Sequence, residues 1–303
     1  MITPKPLFKG ARVALLAASG PVPNGRHDKA YESVRALGLE PVIYPSCCLR
    51  HGYFAGNDAQ RAADLMNAFT DDSIDGILLM RGGYGMHRLL PLLDMAEIAK
   101  HPKFISGYSD VTALLIALNQ LSDMVAYHTV MPSTEYYKPL DEYSMDYLKR
   151  ALFGGLEGEL LNPEGRPFTA LNGGKAKGTL TGGNLSLVHQ SLGGKWEIDT
   201  KGKILFLEDV EEKPYHIDGM LTQLRNAGKL DDCAGFILGY WTKCAAEMPE
   251  NSLSLEQIFD ELLVPTGKPI IAGLCCGHDL PSCSLAMGRQ VEIDADALSI
   301  RLL

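Results

Sequence analysis

Apolar runs of strand length, each followed by a turn and then by helical spacing, dominate the first half of this chain. Residues 12–19 (Arg-Val-Ala-Leu-Leu-Ala-Ala-Ser) form the first run, which breaks at Gly20-Pro21; residues 31–37 then read as a helix closed by Gly38. Residues 40–45 form a second strand, and 58–69 a helix with Ala62, Leu65, Met66 and Phe69 at helical spacing. Residues 76–80 follow, then Arg81-Gly82-Gly83-Tyr84-Gly85 and a helix through Leu90, and the series continues with 104–107 and 124–128. The runs are apolar throughout rather than alternating, so both faces of each strand must be covered. Repeated β-α-β units of this kind build a parallel sheet flanked by helices.

The second half is less regular. Gly, Pro, Glu and Asn fill 151–177, which reads as an interdomain linker. Strands are expected at 178–181, 204–207, 235–238 and 270–274, with two more β segments before Leu303, and helices at 185–192, 215–227 and 255–263. The expected fold class is α/β: a Rossmann-like parallel-sheet domain over 1–150, then a mixed, β-rich α/β domain over 178–303.

A chain of 303 residues with 46% hydrophobic and 21% charged residues can bury a sizeable core. Its net charge of −9 argues against nucleic acid or an anionic membrane as partner, since both select a basic face. No apolar stretch is long enough to span a bilayer, and Met1-Ile-Thr-Pro-Lys-Pro6 lacks the apolar core of a signal peptide, so a cytoplasmic location is expected. The cysteines number 7, include the adjacent pairs Cys47-Cys48 and Cys275-Cys276, and show no C-x-x-C spacing. They read as reduced core thiols. His27, His51, His87, His101, His189 and His216 lack ligand spacing, so no metal is expected.

In open parallel sheets, chemistry gathers at the carboxyl ends of the strands. Ser109 sits at one such end, in Gly107-Tyr-Ser-Asp110, where a strand turns into a helix whose free N–H groups can stabilise an oxyanion. Val111 occupies the place of the second glycine of G-x-S-x-G, and a serine at this junction can equally be a helix cap. Glu208-Asp209 follows the strand at 204–207, and His278 follows the one at 270–274. Serine, histidine and a carboxylate are the parts of an acyl-transfer triad. Asp209, Glu211 and Glu212 fit better as helix-start or surface charges, and His278 can be an ordinary loop histidine. The run Arg81–Gly85 lets backbone N–H groups approach a ligand, as an oxyanion hole requires, and matches no phosphate-loop pattern. Arg81, beside that loop, is a candidate grip for a substrate carboxylate, and pairing with a core carboxylate is its alternative.

Taken in order, the motifs resemble the LD-carboxypeptidase family, which includes murein tetrapeptide carboxypeptidases and microcin C self-immunity proteins. They are Ala18-Ser-Gly-Pro21, Tyr53-Phe-Ala-Gly56 with Arg61-Ala-Ala-Asp-Leu65, the Arg81–Gly85 run, Gly107-Tyr-Ser-Asp110, Gly178-Thr-Leu-Thr-Gly-Gly-Asn184, Leu207-Glu-Asp-Val210, Met220-Leu-Thr-Gln-Leu224 and Gly277-His278. The resemblance implies Ser109 as nucleophile, Glu208 as orienting carboxylate and His278 as general base, with backbone N–H groups of Asp110 and Gly83 as the oxyanion hole. It implies an active site between the two domains, a homodimer, no cofactor, and a murein peptide substrate that loses its terminal D-alanine in cell-wall recycling. Asn184 joins Arg81 as a substrate-binding candidate. Two stretches depart from the family pattern: His128-Thr-Val-Met-Pro132, where His-Gly-Pro is expected, and the region of Tyr136-Tyr137. Two other functions stay open. One is a microcin-type hydrolase of peptidyl nucleotides, which would need an aromatic platform such as Trp241. The other is a catalytically silent small-ligand-binding protein.

Overall fold

The computed structural model describes residues 1–303, which divide into two units, 1–156 with 284–287 and 157–283 with 288–303. In the first unit the apolar runs become β1 (Arg12–Leu16), β2 (Glu40–Ile43), β3 (Gly76–Leu79), β4 (Phe104–Ser106) and β5 (Ala126–His128), all parallel. Between them run α1 (His27–Ala36), α2 (Asp58–Thr70), the short α3 (Met86–Leu89) and α4 (Met95–Ile98), and α5 (Thr112–Leu121); α6 (Glu142–Phe153) follows β5. The strand order β2-β1-β3-β4-β5 is that of a doubly wound α/β fold, with its reversal between β1 and β3. Residues Val13–Leu16 of β1 and all of β3 are buried, and helix α5 is buried from Thr112 to Asn119, which is why neither shows a polar face.

The second unit holds β6 (Gly158–Glu159), β7 (Thr169–Asn172), β8 (Lys175–Asn184), α7 (Leu185–Gln190), β9 (Ile204–Val210), α8 (Pro214–Asn226), α9 (Lys229–Asp232), β10 (Gly235–Thr242), α10 (Leu255–Leu262) and β11 (Ile270–Ala272). The chain then returns to the first sheet as β12 (Leu285–Met287), antiparallel to β5, before β13 (Gln290–Asp294) and β14 (Ser299–Leu302) close the second. That sheet is mixed: β8, β9, β10 and β11 run parallel, while β13, β14, β6 and β7 are antiparallel additions.

Several elements differ from the sequence expectation. The stretch 151–177 contains the end of α6, both β6 and β7, and the first turn-free residues of β8; its glycines and prolines punctuate edge strands. Helix α6 is not among the expected helices, yet Asp141 accepts from the Ser144 N–H at 2.9 Å and Tyr147, Leu148, Ala151 and Leu152 are buried at helical spacing. Glu208 and Asp209 lie within β9, not after it, because Asp209 still pairs with Trp241 of β10. Of the cysteines, Cys48 alone is exposed, and all are free thiols. No helix is long and apolar enough to cross a membrane.

Candidate active site

In the first unit, Ser109 follows β4 with φ at +65°, in the left-handed region that a non-glycine residue enters at a cost of roughly 1–2 kcal/mol. The cap positions of the following 3₁₀ turn and of α5 fall on Tyr108 and Val111, so Ser109 is not the helix cap. Such a strained bend at the end of a central strand is how hydrolase folds thrust a nucleophile out of the sheet. Gly82 explains itself here: a Cβ on it would lie 2.8 Å from Ser109 Cβ and 3.0 Å from Oγ. Only glycine lets the β3 loop pack this closely on the serine.

The side chain of Asp110 does something that sequence reasoning missed. It is buried, and its Oδ2 accepts from Ser19 Oγ at 2.5 Å and the Met86 N–H at 2.9 Å, while Oδ1 accepts from the Gly85 N–H at 3.2 Å. Burial raises its pKa, and those donors act in the opposite direction. Asp110 thus ties the loops after β1 and β3 to the residue next to the serine. Gly20 N–H donates to Gly82 O at 3.1 Å and closes the same knot. Gly83, at φ +124° and exposed, sits in the loop so anchored.

Tyr108, before the serine, donates its hydroxyl to Glu135 Oε1 at 2.9 Å, and Glu135 Oε2 accepts the Met131 N–H at 2.7 Å. The His128 ring packs beside Tyr108 with centroids 5.4 Å apart. His128 and Met131, in the stretch that departs from the family pattern, thus reach Tyr108, the first directly and the second through Glu135, next to Ser109.

In the second unit, Glu208 is fully buried on β9, and its Oε2 lies 2.7 Å from His278 Nδ1. Gly277 makes this contact possible: it adopts φ +133°, and a Cβ there would stand 2.7 Å from Glu208 Oε2. Burial raises the Glu208 pKa, with the His278 charge and hydrogen bond opposing that rise. Successive strand residues face opposite sides, so the adjacent Asp209 points elsewhere. It accepts from Asn184 Nδ2 at 2.9 Å, from the Ser186 N–H at 2.9 Å and from Ser186 Oγ at 2.8 Å, at the start of α7. Glu211 pairs with Lys243 at 2.8 Å and Glu212 with His216 at 2.8 Å, both as surface charges.

Of the substrate-binding candidates, Arg81 has no acidic partner; its Nη1 donates to Pro21 O at 3.0 Å. Asn184 stands opposite Glu208 in the β8–β9 register, its amide on Asp209 and its oxygen capping α7 through the Leu187 N–H. Its polar atoms are engaged in holding the carboxylates' strand to the helix. Trp241 packs on Phe259 with centroids 5.0 Å apart.

The chain matches the LD-carboxypeptidase N-terminal domain over residues 13–129 and the LD-carboxypeptidase C-terminal domain over 177–293. It is 39% identical to a probable murein peptide carboxypeptidase of Bacillus subtilis (strain 168), over 96% of this chain and 91% of that protein. The chain belongs to the LD-carboxypeptidase family. Among solved structures of this fold, the muramoyltetrapeptide carboxypeptidase of Oxalobacter formigenes superimposes with a TM-score of 0.83 at 27% identity, covering 96% of this chain and 98% of that one. The microcin C7 self-immunity protein in complex with aspartyl sulfamoyl adenosine gives a TM-score of 0.91 at 23% identity, covering 100% and 98%. At that identity the likeness is one of fold.

Proposed function

We propose that this LD-carboxypeptidase is a serine peptidase that removes the terminal D-alanine from murein tetrapeptide, in the cytoplasm and as a homodimer. The observation that carries the reading is the pair of buried Glu208 and partly exposed His278, a histidine whose Nδ1 is held by a carboxylate that has no other ionic partner. With Nδ1 so held, Nε2 is the nitrogen that takes the Ser109 proton as Oγ attacks the carbonyl. The same imidazolium returns the proton to the leaving amine of D-alanine. Backbone N–H groups of Asp110 and Gly83 receive the oxyanion, and water then hydrolyses the acyl-enzyme. The strained φ of Ser109 and the close approach of Gly82 support the nucleophile's assignment. Similarity to the Bacillus subtilis and Oxalobacter formigenes proteins supports the substrate.

The test is the purified protein on murein tetrapeptide, with released D-alanine detected by mass. Wild type should cleave the free acid. The C-terminal amide should lose most of kcat/KM because Arg81 would be left without its anion, and the peptide ending in L-alanine should fail. Ser109→Ala should lower kcat at least about a thousandfold. Equal turnover of amide and acid, or preference for a peptidyl-adenylate analogue, would shift the assignment to nucleotide-conjugate hydrolysis. Trp241, packed on Phe259, weighs against an adenine platform there.

A further inference from the structure

His278 lies in the stretch 273–284 between β11 and β12, which has no secondary structure of its own. Such loops keep a fixed position only where their backbone groups are tied down. The bond from Glu208 orients the imidazole, but it does not decide where the backbone carrying the ring stands. Cys283 N–H donates to Cys275 O at 2.7 Å and Gly277 N–H to Ser282 Oγ at 3.3 Å. Those bonds close the turn on itself.

Tyr240 of β10 ties the turn to the sheet at two points. Its N–H donates to Cys276 O at 2.9 Å, and its hydroxyl donates to Pro281 O at 2.7 Å, so the two carbonyls it holds flank His278. Gly239 permits the first contact, since a Cβ there would collide with Cys276 O. The Tyr240 oxygen accepts in turn from Arg166 Nη1 at 2.8 Å. Burial pushes the pKa of this hydroxyl up, so it keeps the proton it donates.

Arg166 belongs to the stretch between β6 and β7, and Asn162 of the same stretch makes a second clip. Its Oδ1 accepts the Cys275 N–H at 2.9 Å, and its Nδ2 donates to Gly273 O at 2.7 Å and to Arg166 O at 2.9 Å. Residues 162–166 therefore grip the approach to the histidine directly and the exit from it through Tyr240. The sheet does not need these clips, because β6 already pairs with β14 and β7 with β11. Arg166 is exposed and adds nothing to the core.

We propose that Tyr240, oriented by Arg166 and assisted by the Asn162 clip, is a positioning residue that holds the His278 loop where the imidazole can act on the substrate. The inference rests on the reading of His278 as general base. A base misplaced by about 1 Å can cost on the order of a hundredfold in rate, so a loop without secondary structure needs such a strap.

The test begins with Tyr240→Phe, which removes the hydroxyl and keeps the ring. On murein tetrapeptide it should lower kcat by about tenfold or more with KM within about twofold, because it displaces the base and not the groups that bind the peptide. Arg166→Gln should lower kcat by about threefold, and should add nothing in the Tyr240→Phe background, since it acts through that hydroxyl. Melting temperatures check that the variants are folded; should Tyr240→Phe fail to melt cooperatively, Arg166→Gln decides by the same readouts. The second readout is the His278 Nδ1 proton, expected as a far-downfield NMR signal of the full wild-type chain and assigned by its absence from His278→Ala. In Tyr240→Phe it should broaden and exchange faster with water. Wild-type kcat, a raised KM alone, or an unchanged Nδ1 signal in the variant overturns the strap and leaves the hydrolase standing. No downfield signal in wild type would mean that the loop is not held, which also overturns it. Absence of tetrapeptide hydrolysis by wild type, with an Nδ1 signal that Tyr240→Phe loosens, supports the strap and removes the carboxypeptidase reading.

Discussion

Glu208 and Asp209 are adjacent in sequence, both acidic and both buried, yet the strand turns them to opposite faces and gives them different work. Glu208 meets His278, and Asp209 gathers the donors at the start of α7. Glu208→Gln keeps the shape and removes the negative charge that stabilises an imidazolium. Its kcat should fall on the order of a thousandfold with little change in KM. Asp209→Asn should keep far more activity than Glu208→Gln while lowering the melting temperature, because it loses an acceptor that ties β9 to α7. Steady-state kinetics and thermal melting of the two variants decide it. The assignment fails if Asp209→Asn is the more damaging to kcat.

At the scale of elements, the glycine-rich loop after β3 has no secondary structure of its own and is anchored by the Asp110 carboxylate together with the Gly20–Gly82 backbone hydrogen bond. Asp110 collects the N–H groups of Gly85 and Met86 and the hydroxyl of Ser19, so it sets where the loop stands relative to Ser109. Asp110→Asn offers an NH₂ where Oδ2 accepted two of those donors. Losing such a buried arrangement costs about 1–3 kcal/mol, or roughly tenfold to a hundredfold if it is felt in the transition state. A reduced kcat with an unchanged far-UV spectrum is the expected outcome, and Ser19→Ala should have a smaller effect in the same direction. Wild-type kcat in Asp110→Asn would mean that the loop holds its position without this anchor.

At the scale of the whole molecule, the C-terminal stretch serves both sheets. Strand β12 pairs Leu285, Ala286 and Met287 with His128, Tyr127 and Ala126, and Asn119 of α5 donates to Met287 O at 3.0 Å. Truncation after Cys283 therefore removes an edge strand from the first sheet as well as β13 and β14 from the second. Amide exchange at β5 should rise in the truncated chain, measured by hydrogen–deuterium exchange, although β5 lies far upstream in sequence. Unchanged protection there would show that the first sheet is complete without β12.

The parallel sheet and its helices were legible in the sequence because strands buried on both faces are continuous apolar runs, a local property of neighbouring residues. The motifs around Ser109, Glu208 and His278 were legible for a related reason: strand ends, glycine turns and residue order survive in one dimension. What the run of residues alone left open was decided by contacts between distant segments. The approach of Gly82 to Ser109, the grasp of Asp110 on the β3 loop and the pairing of β12 with β5 are of this kind. So is the edge-strand role of 151–177, where glycine and proline imitate a linker but the hydrogen bonds are supplied by strands far along the chain. Local periodicity reports which face of an element is buried, and tertiary structure alone reports what it is buried against.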